Sequence, residues 1–302
     1  NVTGVQTCAL PIYSCGYFST GAEDLDVAQA RKIEHICRKL RLKPGERLLD
    51  IGCGWGGLAI AAAQKYGVSV LGVTLSECQA EYGAKQSARL GLNDQVRIEM
   101  CDYRDLKQES FDKIVSVGMF EHVGRNYLPG YFSHAYQLLK PGGLFLNHGI
   151  SRRWQPADLA LLQGLNGHAK NTSNGQSYFE RKVLGAGSFS QRYIFPDGEL
   201  VPVSKANLIA ETAGFEVRDV ENLREHYALT LRHWVRRLEE RQDEAVQMVG
   251  EAVYRTWRLY MSFCALGFET GQTNVNQSLL ARPVNGKVSL PMSRAEVYEG
   301  CI

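Results

Sequence analysis

The sequence predicts an α/β fold in which helices cover both faces of a doubly wound, mostly parallel sheet of seven strands. Short apolar runs alternate with segments of helical period along most of the chain. A glycine-rich loop joins the first apolar run to the helix that follows it. The composition, 44% hydrophobic and 22% charged over 302 residues, is that of a globular protein. Alternating strands and helices of this kind form a parallel sheet.

The individual elements follow from periodicity and from residues that end helices and strands. Seven apolar runs predict strands at 47–51, 68–73, 96–100, 111–118, 144–150, 215–220 and 278–281. Helical spacing predicts helices over 25–42, up to Tyr66, over 76–90, 127–139 and 204–213, and a long charged helical stretch over 227–268. Lys43-Pro44-Gly45 ends the first helix, Ser76 caps the third, and a turn at 140–143 precedes the fifth strand.

Two segments do not fit this alternation. Residues 152–187 are polar, glycine-rich and weakly periodic, and a segment this long inside a compact domain usually covers a site. We predict that it forms a variable cover over the mouth through which substrate enters. Residues 1–12 are uncharged and, from Val2, resemble the translation of a sequencing-adapter oligonucleotide, although a natural extended arm is the alternative. We expect a non-native segment without structural role, ahead of a catalytic domain over 13–302.

Charge, hydropathy and cysteine spacing give no sign of a nucleic-acid-binding protein, a membrane-spanning protein or a disulfide-rich protein. A formal net charge of +2 gives no reason to expect nucleic-acid binding. No apolar run approaches the roughly 18 residues of a membrane span, so any contact with a membrane is expected at its surface. Eight cysteines show no C-x-x-C spacing, which favours reduced thiols and a cytoplasmic location.

The glycine loop after the first strand predicts a nucleotide-containing cofactor. Asp50-Ile51-Gly52-Cys53-Gly54-Trp55-Gly56-Gly57 fits the dinucleotide G-x-G-x-x-G pattern, but also the D-x-G-x-G loop of methyltransferases. A dinucleotide site expects an acidic residue at the end of the second strand, where this chain has Gly72-Val73-Thr74. The loop therefore favours S-adenosyl-L-methionine over NAD. Asp102, at the end of the third strand, supports this choice, with capping of a turn as its alternative role.

Eight strings in order along the chain carry a more specific resemblance. They are 13–18 (YSCGYF), 48–56, 72–76 with Gln79, 116–124 (SVGMFEHVG), 148–150 (HGI), 193–198 (YIFPDG), His226-Tyr227 with Trp234, and 260–268 with Cys264. Together they are similar to the cyclopropane-fatty-acyl-phospholipid synthases and mycolic acid cyclopropane synthases over residues 13 to about 282. This family consists of class I S-adenosylmethionine-dependent methyltransferases with a Rossmann-like fold.

The resemblance implies which residues bind the two small molecules that the family uses. The cofactor residues would be Tyr13, Ser14, Leu48, Leu49, Asp50, Ile51, Gly52, Cys53, Gly54, Trp55, Gly56, Thr74, Leu75, Ser76, Gln79, Asp102, Tyr103 and Arg104. The family also holds a bicarbonate ion beside the transferred methyl group. Its ligands here would be the side chains of Glu121, His148 and Tyr227 and the backbone amides of Cys15 and Ile150.

Each of these residues also has a purely structural interpretation. A single buried histidine, a helix-capping glutamate or a tyrosine in the core is common. The three matching positions together favour the anion site. Cys264 lies where the family has an active-site cysteine, and a small buried hydrophobe is an equally good interpretation. Gly149, between His148 and Ile150, stands where a bulkier residue is expected.

The resemblance implies transfer of a methylene group to the cis double bond of an unsaturated phospholipid acyl chain. Methyl transfer leaves a carbocation, and bicarbonate as base would then remove a proton to close the cyclopropane ring. The alternatives are methylation of the chain without ring closure and an inactive relative that binds the cofactor or lipid. A bacterial enzyme at the membrane surface, with an upstream lipid-binding domain missing from this chain, is expected, and a homodimer remains an alternative.

Overall fold

The computed structural model describes residues 14–107, 110–154 and 199–298, together with the isolated positions 189, 193 and 194. The predicted adapter-derived segment at 1–12 and the predicted cofactor residue Tyr13 lie outside these ranges. Most of the predicted cover at 152–187 also lies outside them, since the description stops at Trp154.

The described elements alternate as the sequence predicts. In chain order they are α1 (Leu25–Leu40), β1 (Arg47–Ile51), α2 (Gly57–Tyr66), β2 (Ser69–Thr74), α3 (Glu77–Arg89), β3 (Val96–Met100), β4 (Phe111–Val117), α4 (Leu128–Leu138), β5 (Leu139–Arg152), α5 (Val203–Thr212), β6 (Glu216–Asn222), α6 (Arg224–Glu240), α7 (Gln242–Val249), α8 (Glu251–Glu269), β7 (Thr273–Ala281) and α9 (Ala295–Tyr298). Short 3-10 turns follow β3 at Tyr103–Asp105 and β4 at Phe120–His122.

The strands form one sheet in the order β3-β2-β1-β4-β5-β7-β6. Strands β1 to β5 pair in parallel, and β7 runs antiparallel to both β5 and β6. This is the mixed, mostly parallel, seven-stranded sheet of a class I methyltransferase, so the predicted fold class is confirmed. No helix among the described residues is long and apolar enough to cross a membrane.

Three predicted elements differ from the structure by more than two residues at an end. The fifth strand begins at Leu139 instead of 144, because the predicted turn at 140–143 loops out between two points of pairing with β4. The last strand begins at Thr273, since all nine of its residues find partners on β5. The long helical stretch is three helices, and Gly250, at φ 82°, separates the last two.

Apolar side chains fill both faces of the sheet. Leu48, Leu144 and Leu146 pack on one face with helices α1 and α2, and Leu49 and Phe145 pack on the other with α4 and α5. Each such side chain stabilises the fold by roughly 1.5–3 kcal/mol through burial. A smaller cluster joins Cys15, α6 and α8 to β7 at one end of the sheet. The parallel strands therefore present their carboxyl ends at one rigid edge, where the loops that follow them meet.

Candidate active site

The predicted cofactor loop turns directly after β1 at this edge. The backbone N–H groups of Gly52 and Cys53 both donate to the carbonyl of Val73, at 2.9 and 3.0 Å, which pins the loop to β2. Gly54 has φ 56°, and a Cβ atom built on it would meet no other atom within 4 Å. The loop thus leaves open space at Gly54, where a ligand could approach the backbone.

Gly52 brings the glycine loop against the turn after β4. A Cβ atom on Gly52 would lie 2.8 Å from both Cβ and Cγ of Met119, and its φ of 77° favours glycine as well. Met119 precedes the 3-10 turn that carries Glu121. The absence of a side chain at position 52 therefore allows the turn that carries Glu121 to pack beside the cofactor loop.

Asp50 and Lys32 form a buried pair of opposite charges beneath the loop. Both side chains are 2% exposed. Burial raises the pKa of Asp50 to about 7 and lowers that of Lys32 to about 7, while the attraction between the two opposes both shifts. Lys32 is not among the residues predicted from the sequence, although a lysine within the apolar face of α1 is an unusual signal.

Helix α1 also holds the predicted cofactor residue Ser14. Lys32 Nζ donates to Ser14 Oγ at 2.7 Å, and Gln29 Nε2 donates to the Ser14 carbonyl at 2.7 Å. The following Gly16 N–H donates to Thr230 Oγ1 on α6 at 2.9 Å. The segment that begins at Ser14 is therefore held between α1 and α6.

Residues of the loop after β2 form hydrogen bonds with one another. The Thr74 hydroxyl donates to Gln79 Oε1 at 2.7 Å, and Ser76 Oγ accepts from the Gln79 N–H to cap α3. Leu75 between them is 72% exposed and lies at the open edge. The structure thus brings together all four residues of this predicted group.

Asp102 is engaged by its neighbour Arg104. Its carboxylate accepts from the Arg104 backbone N–H at 2.9 Å and from the guanidinium at 2.9 and 2.6 Å. These bonds lower the pKa of Asp102. Asp102 therefore caps the turn at the carboxyl edge of β3, and its contact with the cofactor stays a prediction.

Glu121 is buried at 6% exposure. Its Oε1 accepts from the Ile150 backbone N–H at 2.6 Å, and its Oε2 has no hydrogen-bond partner among the described residues. Burial raises the pKa of the carboxyl to about 7, against the bond from Ile150. The Ile150 amide, which the resemblance assigns to the anion, is therefore bound by Glu121 in this structure.

Four further side chains lie within electrostatic range of Glu121 or of one another: Tyr227, Cys15, Tyr260 and Cys264. We refer to these four residues with Glu121 as the Glu121 cluster. Burial raises the pKa of Tyr227 well above its ordinary value, and charge on Cys15, Glu121 and Cys264 raises it further. Tyr260 hydrogen-bonds Cys264 and is also within electrostatic range of Tyr227 and Glu121. Tyr260 has no role predicted from the sequence, although its spacing of four residues from Cys264 places both on one helical face.

Cys264 has the environment of a structural cysteine. Burial raises the pKa of its thiol to about 11, and the bond with Tyr260 only partly offsets this shift. A nucleophilic cysteine needs a lowered pKa to form the thiolate near neutral pH. The geometry therefore favours the packing role over the chemical one.

His148 faces helix α1. Its Nδ1 lies 3.2 Å from Gln277 Nε2, and burial lowers its pKa to about 3, with Lys32 and Lys39 adding to the shift. The neighbouring Gly149 is explained by packing, since a Cβ there would lie 2.8 Å from the ring of Phe120. The glycine thus lets the turn that carries Glu121 lie against β5.

The raised pKa of Glu121 predicts a pH-dependent change in stability. The folded state is most stable below about pH 4.5, where this carboxyl is protonated in both the folded and the unfolded chain. This stability is lost as the pH rises through 7. Glu121→Gln removes the titration, so the variant should gain up to about 3 kcal/mol over the native protein between pH 4.5 and 8. Urea denaturation across this range measures the difference. The exposed Glu240→Gln is the control, and a pH-independent difference for Glu121→Gln would contradict the prediction.

Comparison with known proteins shows which family this chain resembles. Residues 9–278 match the family described as mycolic acid cyclopropane synthetase. The chain is 43% identical over 288 residues to a probable fatty acid methyltransferase of Pseudomonas putida, covering 95% of this chain and 68% of that protein. It is 36% identical over 272 residues to the cyclopropane-fatty-acyl-phospholipid synthase of Escherichia coli K12, covering 90% of this chain and 62% of that protein.

Among solved structures, the mycolic acid cyclopropane synthase CmaA1 complexed with SAH and CTAB superimposes with a TM-score of 0.79 at 32% identity. The match covers 89% of this chain and 90% of that one. No cluster of three or more histidine, cysteine, aspartate or glutamate side chains that could hold a metal ion occurs in the described part of the chain.

Proposed function

Because this chain belongs to the mycolic acid cyclopropane synthetase family of S-adenosylmethionine-dependent methyltransferases, we propose that it acts on an unsaturated fatty acyl chain of a phospholipid. The reaction transfers a methylene group from S-adenosylmethionine to the cis double bond and closes a cyclopropane ring. Bicarbonate is the base. The protein meets its lipid at the membrane surface.

One observation carries the assignment of the anion site. Glu121 Oε2 is buried without a partner among the described residues. It lies in the 3-10 turn after Met119, which packs against Gly52 of the cofactor loop. A buried oxygen of this kind costs about 1–3 kcal/mol unless a ligand satisfies it. With a pKa of about 7, the carboxyl can donate to an anionic oxygen when protonated and accept from a hydroxyl when ionised. Bicarbonate offers both kinds of group, so the residues fit it.

The cofactor site is supported by the open space at Gly54 and by the anchored loop around it. Ser14, the glycine loop, the Thr74–Gln79 group and the Asp102 turn would hold S-adenosylmethionine. Bound there, it supplies an electrophilic methyl group, and bicarbonate supplies a base at the same edge of the sheet.

Several side chains of this protein have the properties that this chemistry requires. Tyr227 and His148 present hydrogen-bond donors to an anion, and the ammonium group of Lys32 lies near enough to His148 to affect its pKa. Aromatic rings exclude water: the ring centroid of Tyr227 lies 4.7 Å from that of Phe268 and 6.1 Å from that of Trp234. Such rings also tolerate a cation formed on the acyl chain.

A second candidate function is methylation without ring closure, which the 43% identity to a probable fatty acid methyltransferase favours. Proton NMR of monounsaturated phospholipids, incubated in vesicles with the protein and S-adenosylmethionine, separates the two. Loss of a proton from the methylated carbocation without ring closure leaves a methyl- or methylene-substituted alkene, which has the same mass as the cyclopropane but keeps its vinyl signals. An unchanged lipid pool, with cofactor bound in a titration calorimeter, would support an inactive binding protein instead and contradict the proposal.

Tyr227→Phe should slow product formation without weakening cofactor binding. A hydrogen bond to a charged partner is worth about 1.5–3 kcal/mol, which corresponds to roughly a ten- to hundred-fold lower rate. Added bicarbonate should partly restore the rate. Rates in buffers of defined bicarbonate content and calorimetric Kd values for S-adenosylmethionine measure the two effects.

Tyr254→Phe is the matched control for this change. Tyr254 is also buried, and its hydroxyl donates to Gln242 at 3.2 Å, away from the Glu121 cluster. It should leave the bicarbonate dependence unchanged. Equal losses of rate and of cofactor affinity in Tyr227→Phe would indicate a packing role, and full activity of the native protein without bicarbonate would contradict the anion site.

A further inference from the structure

Three polar side chains form a row across β5, β7 and β6. His148 is directly opposite Gln277, and Gln277 is directly opposite Glu221, so all three lie on the same face of the sheet. His148 and Gln277 are 2% and 0% exposed. Glu221 is in turn held by α1, since its Oε2 lies 2.6 Å from His35 Nε2 and 2.5 Å from Lys39 Nζ. The row therefore connects the histidine of the candidate anion site to charged groups on α1.

The contact with Gln277 bears on which nitrogen of His148 carries the proton. Its Nε2 lies 3.2 Å from His148 Nδ1, and an amide nitrogen can only donate. With the amide in this orientation, Nδ1 is the acceptor, which places the proton of a neutral ring on Nε2. Burial lowers the pKa of the ring and keeps it neutral, the charges of Lys32 and Lys39 add to this shift, and Glu221 acts in the opposite direction.

The remaining oxygen of Gln277 is buried without a hydrogen-bond partner among the described residues. An unpartnered buried oxygen destabilises the fold, and an apolar side chain of the same length would avoid that cost. The bond to His148 is the polar contact that the described residues provide for this amide. The contact with His148 therefore explains why a glutamine, and not an apolar residue, stands at position 277.

We propose that Gln277 is a positioning residue that holds His148 as the Nε2–H tautomer, so that the ring presents a donor to the bound anion. The opposite tautomer would present a lone pair to an anionic oxygen and repel it. This inference rests on the proposed function, because it assumes the bicarbonate site to which His148 is assigned.

Nitrogen-15 NMR of histidine-labelled protein tests the tautomer directly, with the His148 signals identified by their loss in His148→Asn. We expect Nδ1 of the native protein to be unprotonated and Nε2 protonated. Gln277→Met, which keeps the length and removes the donor, should mix the two tautomers. Gln277→Glu, which replaces the donor with an acceptor, should move the proton to Nδ1 or charge the ring.

The functional readout is the concentration of bicarbonate needed for half-maximal rate. It should rise about two- to five-fold in Gln277→Met, because only the fraction of rings that keeps the Nε2–H form binds the anion, while the Kd for S-adenosylmethionine stays unchanged. Asn276→Leu is the control, because Asn276 lies on the opposite face of β7 and donates to Ser151 at 2.7 Å. It should change neither the tautomer nor the bicarbonate requirement.

The outcomes separate this inference from the proposed function. A native ring protonated on Nδ1, or a tautomer unchanged in both Gln277 variants, overturns the inference even if every variant is active. A changed tautomer with an unchanged bicarbonate requirement overturns the role of His148 toward the anion. Full native activity without bicarbonate overturns the proposed function but leaves the tautomer result standing. If Gln277→Met fails to fold, Gln277→Glu and the native spectrum still decide.

Discussion

Glu121→Gln is expected to lower the rate of product formation by a hundred-fold or more. The amide oxygen of glutamine can still accept from the Ile150 N–H, so the 2.6 Å contact that fixes the side chain is retained. The change replaces the unpartnered Oε2 with an NH2 group, which only donates. An anion at this position loses its acceptor, and losing an oriented acid–base partner commonly costs about 10²–10⁴ in rate.

Two measurements distinguish this effect from damage to the fold. The Kd for S-adenosylmethionine should stay within a few-fold of the native value, because Glu121 contacts β5 and lies outside the glycine loop. The exposed Glu240→Gln supplies the control for the chemical change. A rate within three-fold of native would remove Glu121 from the active site, and a parallel loss of cofactor affinity would indicate a structural role.

Gly54→Ala is expected to weaken S-adenosylmethionine binding about ten- to hundred-fold. A Cβ at this position meets no protein atom within 4 Å, so its steric effect falls on whatever occupies the open space. Inserting an extra carbon into a packed contact costs about 1–3 kcal/mol. The φ of 56° adds a loss of about 1–2 kcal/mol in folding stability, because side chains disfavour the left-handed region.

Gly45→Ala separates these two effects. Gly45 has φ 84° and equally open surroundings, but it lies before β1, at the opposite end of that strand from the cofactor loop. Both variants should lose similar stability in thermal denaturation, and only Gly54→Ala should lose cofactor affinity in calorimetry. Equal affinities in the two variants would place the cofactor elsewhere.

The sequence by itself determined the sheet and the approximate positions of its strands. Alternating periods predict parallel strands, and the position of Asp50 before Gly52 and Gly54 identified the type of cofactor loop. These signals are local, because period and turn chemistry act over a few neighbouring residues. The resemblance added Glu121 and Tyr227, which the structure places within electrostatic range of each other. Element boundaries were less accurate where a glycine or a pairing partner decided them, as at Gly250 and Thr273.

Only the tertiary structure decided how the site is held. Lys32 and Ser14 are 18 positions apart, and His148 and Gln277 are 129 apart, so no local pattern predicts either bond. Gly149, which looked anomalous in sequence, is needed because the ring of Phe120 packs against its backbone. Burial in the folded chain also sets the pKa of Glu121 near 7 and leaves its Oε2 without a partner. The sequence therefore specifies which groups are present, and long-range packing determines their protonation and their partners.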